Sequence, residues 1–402
     1  MVCGTVALVA KGLQDVNLTD DPDLNFFQYK SFRYLNYANE LYSLNLNETA
    51  AFGSSTYIII PKYGHLLSKM NLHLKLPALT KTSGTYACWS DTTGYGIFSK
   101  PCELQIGGVV IDRMWPVCSD MRDELSTSTN KLGHDQMINK GDTYRSSLFN
   151  ASKPLNLIIP IDFWFAQFYQ MALPLLSMVN QEIRINFYFN TFDKMINYDG
   201  ATPPAPVNIT SSALLTEYIF LDDIILEKFQ SREHRYIIKQ VVYNGDEIIP
   251  AGKTLFSTKL NFVNPSQELL FACVDSVNFN NNNYFNYSRA SDGNPIIASA
   301  SLILDGKHRY DHFLDESVFR QFFPNNVYSV IPTKHQYLMP FAIKPEEINP
   351  SGSLNLGRFD EVTLNLQLTP NNNECRLYIF SISYNVAVIS NGILNLEFMH
   401  NN

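Results

Sequence analysis

Charge is scarce in this chain: Asp, Glu, Lys and Arg make up 17% of its 402 residues, below the roughly 25% of ordinary soluble domains. Too little charge is present to cover the whole exterior, so much of the surface is expected to face other protein. Basic residues are in the minority, 30 Lys and Arg against 38 Asp and Glu, for a net charge of -8. That balance opposes a mainly electrostatic grip on nucleic acid, which needs a basic stripe to release counterions, and no direct genome binding is expected. Paired cysteine motifs are also missing. Cys3, Cys88, Cys102, Cys118, Cys273 and Cys375 form no CxxC, and the chain is neither small nor cysteine-dense, so reduced, buried thiols are expected. The opening MVCGTVALVAKG has neither a positive n-region nor a small-x-small cleavage site, which points to synthesis in the cytosol.

No apolar run suits a bilayer. The longest candidate, Pro160 to Asn190, carries no charge between Asp162 and Glu182, but Gln167, Gln170, Ser177, Asn180 and the mid-segment Pro174 would each need an internal partner in hydrocarbon. Its aromatics Phe163, Trp164, Phe165, Phe168 and Tyr169 therefore belong in a protein core, and Phe163, Trp164, Phe165, Leu173, Pro174 and Leu175 form the expected core cluster. Long helical periodicity is lacking too, with short candidates only at Ser119 to Leu125 and Asp315 to Phe322.

What is present is a period of two. Ile183, Ile185, Phe187 and Phe189 alternate with polar neighbours. So do Met70, Leu72, Leu74 and Leu76; Phe256, Thr258, Leu260 and Phe262; and Val362, Leu364, Leu366 and Leu368. Strands spread over both halves predict an all-β sandwich or barrel. The halves also resemble each other. ELQIGGVVIDRM reads as a hairpin turning at Gly107-Gly108, and LILDGKHRY turns at Asp305-Gly306. LIIPIDFWF and YLMPFAIKP each end an apolar strand at a proline, with an alternating strand roughly 22 residues later. Two similar β domains in tandem follow. The expected division is a first module ending at 226, a connector over 227–240 that packs on both, and a second module over 241–402. The stretches 200–213 and 278–295 read as long loops forming exposed tops.

Candidate chemistry is thin. PAGKT (Pro250 to Thr254) resembles the end of a phosphate-binding loop, but Glu247 stands where the first glycine belongs and a strand follows instead of a helix. His308 and His312 have metal-like spacing without a third ligand nearby, and Ser351 to Ser353 lacks the GxSxG elbow. The adjacent acids Asp222 with Asp223 and Glu346 with Glu347 point to opposite faces if in a strand, unlike a glycosidase pair. No enzyme activity, catalytic residue, cofactor or metal is therefore expected. Sequons at Asn17, Asn47, Asn150, Asn208 and Asn286 are candidate glycosylation sites, although so Asn-rich a chain produces about that many by chance.

Collinear motifs carry a family likeness. They are GLQDVNLTDDPDLNFFQYKSFRY (Gly12 to Tyr34), ELQIGGVVIDR (Glu103 to Arg113), IPIDFWF with ALPLLSMVNQEIRINF (within Ile159 to Phe187), YIFLDD (Tyr218 to Asp223), EHRYIIKQV (Glu233 to Val241), FAIKPEEINPSGSLNLGRFD (Phe341 to Asp360) and YNVAVISNGILNLEF (Tyr384 to Phe398). The sequence resembles the major capsid proteins of large eukaryotic DNA viruses, the double jelly-roll type. The resemblance implies two eight-stranded jelly rolls and a homotrimer of pseudo-hexagonal outline that meets neighbouring capsomers in an icosahedral shell, assembled in the host cytoplasm. It implies an arm over 1–24 ahead of a first jelly roll over 25–226, with Gln14 to Pro22 on the inner face near minor capsid proteins and the internal viral membrane, and it places the aromatic and ALPL residues in a short helical connection clamped against the sheets. GSLNLGRFD departs from the family's more polar run. The alternatives are a carbohydrate-binding or glycoside-acting β-sandwich protein, or a minor capsid or scaffold relative.

Overall fold

The computed structural model describes residues 9–10, 34–126, 131–140, 153–230, 232–310 and 312–398. Among the described residues, sixteen strands make up the two main sandwiches. Those of the first module are β1 (Tyr37–Asn45), β2 (Ser55–Ile59), β3 (Leu66–Leu76), β4 (Cys102–Ile106), β5 (Val109–Met114), β6 (Leu155–Pro160), β7 (Ile183–Tyr188) and β8 (Ser211–Leu221). The second has β9 (His234–Tyr243), β10 (Leu255–Lys259), β11 (Pro265–Asp275), β12 (Ile297–Leu304), β13 (Lys307–His308), β14 (Gln336–Pro340), β15 (Val362–Leu368) and β16 (Cys375–Ser390). The first module pairs its strands in the orders β1-β8-β3-β6 and β2-β7-β4-β5, and the second in the orders β9-β16-β11-β14 and β10-β15-β12-β13. Adding eight to each number of the first module gives the second: both are jelly rolls, and the fold is all-β.

Local sequence explains these elements. In β3, Met70, Leu72, Leu74 and Leu76 point inward and are at most 2% exposed, while Lys69 and Lys75 point out. Gly107 and Gly108 both have positive φ, +60° and +83°, as the tight β4-β5 hairpin requires, and Asp305 and Gly306 repeat this at +46° and +76° between β12 and β13. After β5 comes helix α1 (Pro116–Leu125), with proline in its first turn. Helix α2 (Asp223–Gln230) follows β8, and the region expected as a connector continues into β9, which pairs with β16 from His234 to Tyr243. The helix expected at Asp315 to Phe322 is a π-helical turn, Val318–Phe322, running into α3 (Phe323–Tyr328). Among the described residues no helix is long and apolar enough to cross a membrane.

Between β6 and β7 the chain makes two short 3-10 turns, Tyr169–Met171 and Leu175–Ser177. Phe163, Phe165 and Leu173 there are wholly buried, Leu175 and Trp164 nearly so, and Pro174 is buried. Tyr169 departs from the expectation of burial: it is 50% exposed, with Lys69 over its ring and its hydroxyl donating to Glu217. The stretch 278–295 departs too. Instead of an exposed top it folds back into the body, burying Phe285, Tyr287 and Asn278. Its left-handed Asn282 reaches the first module, donating from Nδ2 to the carbonyls of Asp193 (2.8 Å) and Ile196 (3.0 Å).

The β9-β16-β11-β14 sheet is buried on both faces. Leu269, Phe271 and Cys273 of β11 join the second module's core with Tyr337 and Leu377, whereas Leu270, Ala272 and Val274 face the first module and join its core with Phe380. Phe271 stacks on Tyr337 at 5.3 Å and meets Phe319 edge-on at 6.1 Å. Replacing Phe271 with alanine is expected to cost about 3–5 kcal/mol. A calorimetric scan should show a lowered Tm; an unchanged one would contradict this packing.

Candidate functional site

Two surfaces distinguish the modules: a seam where they pack together, and a sheet face of the first module that described residues cover only at one end, where Ala172, and Phe229 of α2, pack on Leu66 and Ile219. The seam begins with α1, whose apolar side residues Cys118 and Met121 are buried against the second module. Gln336 of β14 donates to the Met121 carbonyl at 2.7 Å, and Gln240 of β9 donates to the Ile111 carbonyl of β5 at 2.6 Å. Trp115 packs on Tyr243 at 4.7 Å, and Trp164 on Tyr236 at 5.9 Å. At one end of the seam Asn282 makes the contacts given above. At the other, Gln181 accepts from the Leu394 amide at 2.7 Å and donates back to its carbonyl at 3.2 Å.

Buried ions sit in the middle. Asp120, 1% exposed, receives both carboxylate contacts from Lys334 at 2.7 Å, lies 3.1 Å from Lys140, and accepts from the Tyr287 hydroxyl at 2.9 Å. Glu124 lies 3.1 Å from the same Lys140 and accepts from the Thr333 hydroxyl at 2.7 Å. Burial opposes ionisation of Asp120, but Lys334 and Lys140 outweigh it and hold its carboxyl below the usual range. Asp123, one residue along α1 from Glu124, has less support: burial, added to by Asp162 and Asp120 and only partly offset by Lys140, pushes it up to about 8. Asp112 is raised to about 7 by burial despite accepting from the backbone amides of Trp164 (3.2 Å) and Arg113 (2.9 Å). Burial and the nearby Arg122 bring Lys239 down to about 8 while it donates to the Pro345 and Glu347 carbonyls, each at 2.6 Å. Glu268 is raised by burial and receives the Tyr328 hydroxyl at 2.7 Å. This is the chemistry of a clamp: charges neutralise each other across the modules.

The other surface is the outward side of β1-β8-β3-β6. It carries Leu41, 66% exposed, with half-buried Ala213, Leu215 and Ile158, and the exposed cations Lys69 and Lys75. Its counterpart in the second module, with Leu270, Ala272, Val274, Leu338 and Phe380 each at most 1% exposed, lies beneath the first module.

The residues singled out in the sequence do not converge. Asn47 and Asn208 are exposed, Asn286 is half-buried with its side chain accepting from the Ser288 amide at 3.2 Å, and Asn17 and Asn150 lie outside the described residues, as does the arm around Gln14 to Pro22. Pro250 to Thr254 forms a turn before β10. His308 bonds Ser301 at 2.7 Å, and among the described residues no group of three or more His, Cys, Asp or Glu is arranged to hold a metal. Ser351 accepts from the Lys344 amide at 2.8 Å, and Glu347 pairs with Lys344 at 2.8 Å. Cys88, Cys102, Cys118, Cys273 and Cys375 are free and buried. Sequence reading missed the seam ions Asp120, Glu124 and Lys334 because no local spacing marks them.

A pH dependence follows from Asp123. Its folded pKa near 8 lies above the ordinary carboxylate value, so the native state holds a proton that the unfolded chain releases; stability falls as pH rises from about 4 to about 8, by at most about 1.4 kcal/mol per pH unit, and then levels. Asp112 adds a similar slope that ends near 7. Asp123→Asn should therefore gain Tm over the wild type progressively with pH, the gap still widening between about 7 and 8. Melting scans at pH 5, 7, 8 and 9 check this; a constant gap would contradict it.

The architecture has known counterparts. The family described as "Major capsid protein N-terminus" matches residues 25–222, and "Large eukaryotic DNA virus major capsid protein" matches residues 226–395. The chain is 27% identical to the major capsid protein of Pyramimonas orientalis virus, over 98% of this chain and 99% of that one. It is also 27% identical to that of Paramecium bursaria Chlorella virus 1, over 91% and 87%. In structure it resembles the PBCV-1 virus capsid protein with a TM-score of 0.80 at 22% identity, covering 94% of this chain and all of that one. It resembles the Faustovirus major capsid protein with a TM-score of 0.73 at 13% identity, covering 94% of each. With paired jelly rolls and sequence likeness along nearly its whole length, this chain belongs to the major capsid proteins of large eukaryotic DNA viruses and is a structural component of the virion shell.

Proposed function

We propose that three copies close into a ring by a heterologous contact, the second module of one copy covering the open β1-β8-β3-β6 face of the next, and that the resulting pseudo-hexagonal trimers tile an icosahedral shell. The observation that carries this reading is the asymmetry of the repeat: one sheet face is covered along its length by the neighbouring module in the second jelly roll, and in the first is covered by described residues only at its Leu66 and Ile219 end, leaving Leu41, Ala213 and Leu215 open. By analogy with the intrachain contact, where β5 and α1 press on the second module, the pressing elements of the next copy are β13, the π-helical turn and α3. Phe322 (57% exposed) and Ile331 (52%) provide apolar surface in that region. Low charge suits such a contact, since interface centres are depleted in Lys, Glu and Asp.

The same reading divides the chain into an arm over 1–24, modules over 25–226 and 241–402, and a joining segment over 227–240, with β9 straddling the last boundary. The arm is assigned to contacts with minor capsid proteins and the internal viral membrane. Free, buried thiols fit assembly in the reducing host cytoplasm.

Native mass spectrometry tests the ring. The wild type should run at three times the 45.8 kDa chain mass, while Leu215→Glu and Phe322→Glu, each placing a charge in the contact, should shift the population to monomer with an unchanged circular-dichroism spectrum. A monomeric wild type at micromolar concentration would sink the ring itself. A trimer indifferent to both substitutions would sink the assigned faces.

A further inference from the structure

A cleft of about 500 Å³ opens between the modules at the end where their long connections gather, and the assembly reading gives it no role. Its wall is a run of aromatic rings from both modules: Trp115 lies 4.7 Å from Tyr243, which stacks on Phe380 at 4.9 Å, and Tyr284 meets Phe279 at 5.0 Å. Trp115, Tyr243 and Tyr284 are only half-buried, so apolar ring surface stays open inside a concave site. Three exposed cations, Lys100, Lys194 and Arg376, also line it. Opposing them is Asp246, whose carboxylate already accepts the Tyr243 hydroxyl at 3.0 Å. On a chain of net charge -8, the cleft thus carries a local positive excess.

We propose that this cleft binds an acidic saccharide, with pyranose C–H faces stacked on the Trp115, Tyr243 and Tyr284 rings and a carboxylate or sulfate group held by Lys194 and Arg376. The chemistry of the lining selects this class. Aromatic faces reward a ligand with flat apolar sides, and the cations reward one bearing a negative charge; a uronate or sulfated sugar offers both. The Asn190 amide, the other long polar side chain of the lining, already donates to the Gly96 carbonyl at 2.8 Å, so the cations dominate polar recognition. An extended acidic peptide fits less well. Arg376 lies on a strand segment flanked on one side by Ile248 and on the other by Val274, leaving no open ladder there for an added strand.

Titration calorimetry on the purified full chain at physiological ionic strength tests this, with a heparin-derived tetrasaccharide as probe, neutral cellotetraose as one comparator and a tyrosine-containing oligoglutamate peptide as the other. The acidic tetrasaccharide should bind about tenfold or more tighter than either comparator. Lys194→Glu combined with Arg376→Glu, and separately Tyr284→Ala, should each weaken binding about tenfold, while Lys253→Glu, a charge change at an exposed turn, should leave it unaltered. Unfolding temperatures of the variants verify the fold. No binding of the acidic probe, binding equally reduced by Lys253→Glu, binding insensitive to both cleft variants, or preference for the peptide would each overturn the proposal. The cleft lies within a single chain, so these outcomes are separable from the fate of the ring reading.

Discussion

The structure depends on one sheet that has no free face. Because β9-β16-β11-β14 is covered by its own sandwich on one side and by the first module on the other, consecutive side chains of β11 belong to different cores: Phe271 to one, Leu270 and Ala272 to the other. The two jelly rolls therefore share packing in the way layers of one domain do. Removing the first module would expose Leu270, Val274, Leu338 and Phe380 together, a contiguous apolar face of the kind soluble monomers rarely tolerate.

Charges within the seam add selectivity more than strength. Taking Asp120, Glu124, Lys140 and Lys334 out of water is costly, and their mutual attraction offsets that cost only when every partner is in place. A seam closed in another register would take Lys334 from Asp120 and leave it to share Lys140 with Glu124. The ions thus act against wrong docking, while Trp115 and Met121 supply the apolar contact. Asp123 shows the limit of this arrangement, since it shares the burial but only part of the cationic support.

Much of this was legible in the sequence where one sheet face meets the core. Alternation located β3, β7 and β15, the Gly107-Gly108 and Asp305-Gly306 pairs located two hairpins, and the repeated strand-proline pattern indicated duplication. β11 escaped for a physical reason: with both faces buried, SQELLFACVD has no period of two to detect. The seam ions escaped because Asp120 and Lys334 are brought together only by the docking of two modules. Composition misled at 278–295, where an Asn-rich stretch suggests a solvated loop, yet Tyr287 and Asn282 are tied into the body through Asp120 and the Asp193 carbonyl. The open face of β1-β8-β3-β6 does leave a mark in the sequence, since β3 places Lys69 and Lys75 where β11 carries a continuous apolar run.

The contacts at both ends of the seam have a further consequence. Asn282 ties the long connections of one module to those of the other, and at the opposite end Asn180 ties the chain entering β7 to the Asn391-Gly392 turn after β16, so both sandwiches point the same way. The molecule is therefore directional, like an arrow and unlike a rod. Any flat layer made by packing such bodies side by side in one orientation acquires two chemically unlike surfaces, an inside and an outside, without a separate signal to tell them apart.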